Sequence, residues 1–121
     1  MNRQEMRKRL KMASRPVHGA EMIRQASLAR DAAEWLQGDE KEKMLHIAAE
    51  LEKGGKDCIA EAEIAIALIT SLTGIEREIM TLRYIEGKSW VAISRITHYS
   101  RSRATSIELS AVNRLCEEYT E

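Results

Sequence analysis

Phenylalanine is absent from this 121-residue chain, and aromatic residues make up only 4% of it. With no Asn-Gly or Asp-Gly turn between alternating segments, little favours β-strands. One proline and six glycines leave room for long uninterrupted helices, and 44% hydrophobic residues exclude a disordered chain. The longest apolar run, Ile64 to Ile69, has six residues. A bilayer needs ~20, so no membrane partner is expected. Cys58 and Cys116 are the only cysteines and lack CxxC spacing, and the start Met-Asn-Arg-Gln lacks the apolar core of a signal peptide. Both features lead us to expect a reduced, cytoplasmic setting. His18, His46 and His98 are scattered, without HExxH or Cys/His metal spacing, and no glycine-rich phosphate loop or GxSxG elbow occurs. No metal, no cofactor and no catalytic residue is therefore expected, and the protein is read as a non-enzyme.

Excess charge of one sign is also missing: Lys+Arg and Asp+Glu number 19 each. The distribution is uneven. Residues 1–16 carry six basic side chains against Glu5 alone, whereas residues 17–71 carry six basic and eleven acidic ones. The stretch Lys88 to Arg114 holds Lys88, Arg95, Arg101, Arg103 and Arg114 against Glu108. Two basic patches are hidden in a neutral total, and such patches are the electrostatic footprint of a phosphate-bearing partner.

Helical periodicity dominates what remains. Met22, Ala26, Ala29, Ala33 and Leu36 recur at three-and-four spacing, Gln37-Gly38-Asp39 reads as a stop followed by a new N-cap, and Met44, Ile47, Ala48 and Leu51 resume the pattern. Gly54-Gly55 either ends or kinks that helix, since each glycine costs ~1 kcal/mol relative to alanine in a helix interior. Cys58, Ile59, Ala62, Ile66, Ile69 and Leu72 carry the pattern to Thr73-Gly74. Such a small-residue seam serves either close packing within one chain or a dimerising coiled coil. Trp35 falls with Leu28 and Ala32 on a separate apolar strip suited to a subunit interface.

Ile75 to Gly87 is predicted as a helix with Ile75, Ile79, Leu82 and Ile85 on its apolar face, ended by Gly87. Ser89 is expected to cap the next helix, with Trp90, Ile93 and Ile96 facing inward. After the turn His98-Tyr99-Ser100, Ser100 caps a third helix with Ala104, Ile107, Ala111 and Leu115 buried. The last two helices and their tight turn describe a helix-turn-helix. Its second helix opens with Arg101, Ser102, Arg103, Thr105 and Ser106, hydrogen-bonding side chains in the turns that approach base edges, next to free backbone N–H groups that attract anions.

The run Glu76-Arg77-Glu78-Ile79-Met80-Thr81-Leu82-Arg83-Tyr84-Ile85-Glu86-Gly87-Lys88-Ser89-Trp90, then Ile93 and Tyr99-Ser100-Arg101, resembles region 4 of bacterial sigma factors. The Gly-Lys-Ser-Trp and His-Tyr-Ser-Arg elements resemble still more closely the phage late transcription regulators of the ArpU and RinA type. The resemblance covers residues 72–115. It implies that Arg101, Ser102, Thr105 and Ser106 occupy recognition-helix positions, and that Arg83 and Lys88 stand near the DNA backbone. Thr105 and Ser106 are short where sigma factors often carry long polar side chains, Ala104 replaces a larger apolar residue, and His98 stands where glycine is common.

The expected architecture is thus all-α: a basic arm (1–16), a helical hairpin for dimerisation or partner binding (17–71), and a three-helix helix-turn-helix domain of sigma region 4 type (72–121). The implied function is a phage or prophage transcription regulator that reads the major groove of double-stranded DNA with the helix starting at Ser100, and that uses residues 17–71 to form a homodimer or to meet RNA polymerase. Its proposed DNA-binding residues are Arg83, Lys88, Ser100, Arg101, Ser102, Arg103, Thr105 and Ser106. Two alternatives are a DNA-packaging protein similar to a terminase small subunit, and a sigma-like module that binds RNA polymerase instead of DNA.

Overall fold

The computed structural model describes residues 1–119. They form six α-helices, α1 (Arg3–Leu10), α2 (Pro16–Ala33), α3 (Gly38–Thr70), α4 (Gly74–Met80), α5 (Trp90–Thr97) and α6 (Arg101–Glu118). A 3₁₀ turn follows α1 (Lys11–Ser14), and a π-helical turn continues α4 (Thr81–Ile85). No strand occurs among the described residues, so the all-α expectation holds, with the helix-turn-helix at its C-terminal end.

The chain divides into two compact units, Arg15–Ala60 and a second that joins Met1–Ser14 to the chain from Glu61 onward. These boundaries differ from an arm, a hairpin and a C-terminal domain meeting at residues 16 and 71. The reason lies in an apolar stripe that the charge pattern concealed. Residues 1–16, read as an arm, contain Met6, Leu10 and Ala13 at helical spacing, all buried against Ala65, Leu68, Ile69 and Leu72 from the end of α3. A capping box starts α1: Glu5 N–H donates to Asn2 Oδ1 at 2.8 Å, and Asn2 N–H reaches back to Glu5 Oε2. The basic side chains Arg3, Lys8, Arg9 and Lys11 occupy the exposed side of this short helical segment.

In the Arg15–Ala60 unit, α2 and the first part of α3 pack through small residues. Gly19, Ala26, Ala33, Ala48 and Gly55 are buried. A Cβ on Gly55 would lie 2.6 Å from the Gly19 carbonyl oxygen, and one on Gly19 would lie 2.7 Å from the Gly55 carbonyl oxygen. The two backbones meet at a distance only glycine permits. Gly54-Gly55 therefore neither breaks nor ends the helix, because α3 runs through it, and its role is close approach within this chain. Arg30 pairs with Glu52 across the same unit. Ile47, expected on the inner face, is exposed instead, as are Val17, Leu28, Leu45 and Trp35, the last to 88%. Backbones this close leave no space between them for large side chains.

The other unit has two cores of larger residues. One joins Met6, Leu10, Ile69, Met80, Tyr84, Val112 and Leu115; the other joins Ile79, Leu82, Ile93, Ala104 and Ile107. The segment after Gly74 serves both, and here a regular single-faced helix was expected. The π turn, marked by Glu86 N–H donating to the Thr81 carbonyl at 3.0 Å, widens the helix. Leu82 then lies in one core and Tyr84 in the other, while Ile75 and Ile85 are only partly buried.

Candidate nucleic-acid interface

The helix-turn-helix is held by local hydrogen bonds that its sequence supplies. Ser89 Oγ accepts from Ala92 N–H at 3.1 Å and starts α5. His98 ends it in the left-handed region, at φ 63° and ψ 13°, a conformation that histidine tolerates better than branched residues do. Ser94 Oγ donates to the Tyr99 carbonyl, Thr97 Oγ1 donates to the Ile93 carbonyl at 2.8 Å, and Tyr99 N–H donates to Thr97 Oγ1 at 3.4 Å. Ser100 Oγ then caps α6 by accepting from Arg103 N–H at 3.1 Å. Each end of the turn is thereby tied to a side chain, which fixes the direction in which α6 leaves it.

Ala104, Ile107, Glu108, Ala111, Val112 and Leu115 are buried and define the inner side of α6. Arg101, Ser102, Arg103 and Ser106 are exposed in its first two turns, with Thr105 half-buried beside them. At ~100° per residue the side opposite the core runs through Ser102, Ser106, Leu109 and Asn113. The sequence-predicted residues Ser100, Arg101, Ser102, Arg103, Thr105 and Ser106 are therefore gathered at one helix end, around the buried Ala104. Leu109 and Asn113 were missed, although continuing the same helical spacing would have found them. Ile96, expected to face inward, is 51% exposed, since α5 has only two turns and buries Ile93 alone.

Arg83 and Lys88 lie before α5. The Arg83 guanidinium donates to the Lys88 carbonyl at 3.1 Å and sits 4.7 Å from the centre of the Trp90 ring. It thus ties the loop to α5 through a hydrogen bond and a cation–π contact. Trp90 is half-buried, an anchor at the edge of the second core rather than within it. Lys88 is exposed. Not every basic residue of the Lys88 to Arg114 stretch is available to a ligand. The Arg114 guanidinium donates to both carboxylate oxygens of Glu76, at 2.9 and 3.3 Å, and Ser110 Oγ donates to the same group at 3.1 Å. The Arg114 hydrogen bonds hold the Glu76 carboxyl below its usual range. Arg101 and Arg103 make no ion pair among the described residues, so two exposed guanidinium groups at the start of α6 are open to a ligand.

The buried side of α6 also carries an acidic side chain, which the charge pattern alone left among the surface charges. Glu108 is 5% exposed. It accepts from Arg7 Nη2 at 2.7 Å, from Arg7 Nε at 3.2 Å and from the Tyr84 hydroxyl at 2.8 Å. Burial, reinforced by the bond to Glu108, pushes the Tyr84 phenol far above its ordinary range. An acidic residue spaced one and four from Ile107 and Ala104 is the signal that marks it. One arginine of the supposed arm is thus a structural partner of the recognition helix.

Residues 68–117 match the family model described as Sigma-70, region 4. The segment is a sigma region 4-like helix-turn-helix. It spans the end of α3, α4, the π turn, α5 and nearly all of α6, while α1 and α2 lie outside the match. No curated protein matches the chain, and no solved structure does. Among the described residues no group of three or more side chains is placed to hold a metal ion, and no helix is long and apolar enough to cross a membrane.

Proposed function

We propose that this protein is a regulator of transcription that binds double-stranded DNA, with α6 in the major groove and Lys88 and the exposed residues of the first two turns, Arg101, Ser102, Arg103 and Ser106, against phosphates and base edges. The carrying observation is that the sigma region 4-like segment presents, at a capped helix start, two arginines with no ion-pair partner among the described residues. Ser100 acts here by capping, and Arg83 by holding the Lys88 loop. A phage or prophage setting and cytoplasmic action are the finer reading, supported by the motif resemblance.

The Arg15–Ala60 unit supplies assembly. Its buried residues are mostly small, while Leu28 on α2 and Trp35, in the turn just past the end of that helix, are exposed. A unit this small rarely stands on its own core, so this exposed surface is proposed to pair with a second copy, giving two recognition helices for two half-sites. An RNA polymerase surface is the competing occupant.

Enrichment of bound duplexes from a random library tests the reading. Wild-type protein should enrich a half-site, with affinity falling steeply as salt rises. Arg101→Ala with Arg103→Ala should weaken binding by ~10-fold or more, as expected when charge-assisted contacts to bases and phosphates are lost, with unchanged helicity. Equal retention of all duplexes, or none, would overturn the DNA reading. Sedimentation of Trp35→Ala should show monomers where wild type shows dimers.

A further inference from the structure

The outward side of α6 is unusual in what it offers to a base edge. Within positions 101–106 no Asn, Gln, Asp or Glu is present, so the usual bidentate partners of adenine and the carboxylate acceptors for cytosine N4 are missing from the turns nearest the groove. Thr105 is not a hydroxyl donor to a ligand either. Its Oγ1 is turned back on the helix, 3.0 Å from the Arg101 carbonyl and 3.0 Å from the Ser102 carbonyl. That arrangement leaves the methyl group as what this half-buried side chain presents. One turn further, on the same side, Leu109 is 37% exposed, an apolar residue where a groove-reading helix gains nothing from a purely phosphate contact. Together they make an apolar strip flanked by the hydroxyls of Ser102 and Ser106.

We infer that Thr105 and Leu109 read thymine through its 5-methyl group, making apolar contact rather than hydrogen bonding the main source of sequence preference on this helix. The inference rests on the DNA-binding reading above. In the major groove the thymine methyl is the one apolar feature of the four standard bases, and it is matched by the one apolar strip on the exposed side of α6. Arg101 and Arg103 flank the strip and supply phosphate or guanine contacts.

The test uses the full chain and the duplex enriched from the random library, resynthesised with deoxyuridine replacing thymidine one position at a time. Base pairing is preserved and only the methyl is lost. At the contacted thymines affinity should fall about fourfold per methyl, the equivalent of one buried methyl-sized group, and substitution elsewhere should leave it unchanged. Thr105→Val, which keeps the methyl and removes the hydroxyl, should retain the thymine-over-uracil preference. Thr105→Ser should abolish it at one position and Leu109→Ala at another, with all three variants checked for wild-type melting. Equal affinity for the thymine and uracil duplexes would overturn the inference while leaving DNA binding intact. A preference lost in Thr105→Val and kept in Thr105→Ser would also overturn it, in favour of hydroxyl readout. Failure to enrich any duplex would instead remove the DNA reading on which it stands.

Discussion

The two units of this chain solve the problem of helix packing in opposite ways. Arg15–Ala60 brings backbones together at Gly19 and Gly55 and buries alanines, leaving Leu28 and Trp35 outside. The unit that holds α6 buries Met6, Leu10, Ile69, Met80, Ile93 and Leu115 completely. Apolar burial stabilises in proportion to area, so most of the stability of the folded chain resides in the second unit, and the first depends on the precision of one close approach. In the proposed function, the well-filled unit carries the reading surface and the glycine-packed unit leaves large apolar side chains free for a partner.

That contrast is open to direct attack. Leu115→Ala should lower stability by ~2–5 kcal/mol in urea unfolding, the usual cost of a cavity in a filled core, whereas Leu28→Ala should change the folded monomer by less than ~0.5 kcal/mol, as at other exposed sites. Comparable losses for the two would dissolve the distinction. Glu108→Ala should cost ~1–3 kcal/mol by leaving Arg7 and the Tyr84 hydroxyl without their acceptor, and should raise amide exchange in α1 as well as α6. If α1 keeps its protection, the N-terminal helix does not depend on this buried pair. Gly55→Ala sharpens the comparison from the other side. Its Cβ meets the Gly19 carbonyl oxygen at 2.6 Å, and the strain, partly offset by alanine's better helix propensity, should leave a net loss of ~1 kcal/mol confined to the hairpin.

The smallest effect concerns pH. The Glu76 carboxyl is held below its ordinary value of 4.5 chiefly by its bond from Arg114. A depressed carboxyl pKa contributes stability that is fully present above the unfolded value and is lost as pH falls through the folded one. Melting temperature should therefore decline below about pH 4.5 less steeply in Glu76→Gln than in wild type. Parallel acid declines in the two proteins would show that this surface pair contributes nothing measurable.

Much of the C-terminal segment was legible in the linear sequence. Ser89 and Ser100 announce their caps, and Ala104, Ile107, Ala111 and Leu115 announce the inner face of α6, because caps and periodicity are local properties set by a few neighbouring residues. The exposed run Arg101, Ser102, Arg103 and Ser106 follows from the same spacing. Other features were not legible. In residues 1–16 the charges mask Met6, Leu10 and Ala13, whose burial depends on α3 sixty residues away. Trp90 and Ile96 read as inner residues, yet how deeply α5 sinks is set by the size of its neighbours. The π turn at Thr81–Ile85 has no sequence signature, since it follows from one segment serving two cores.

By itself, then, the sequence determined an all-helical chain with a helix-turn-helix near its end, because helix propensity, capping and hydrophobic period act over a few residues. Tertiary structure alone decided that α1 belongs with α6, that Gly19 and Gly55 mark a close approach, and that Arg114 and Arg7 serve internal carboxylates while Arg101 and Arg103 remain outward. Partner choice among charged and apolar side chains depends on which distant residues are brought within contact distance. No local pattern encodes that distance.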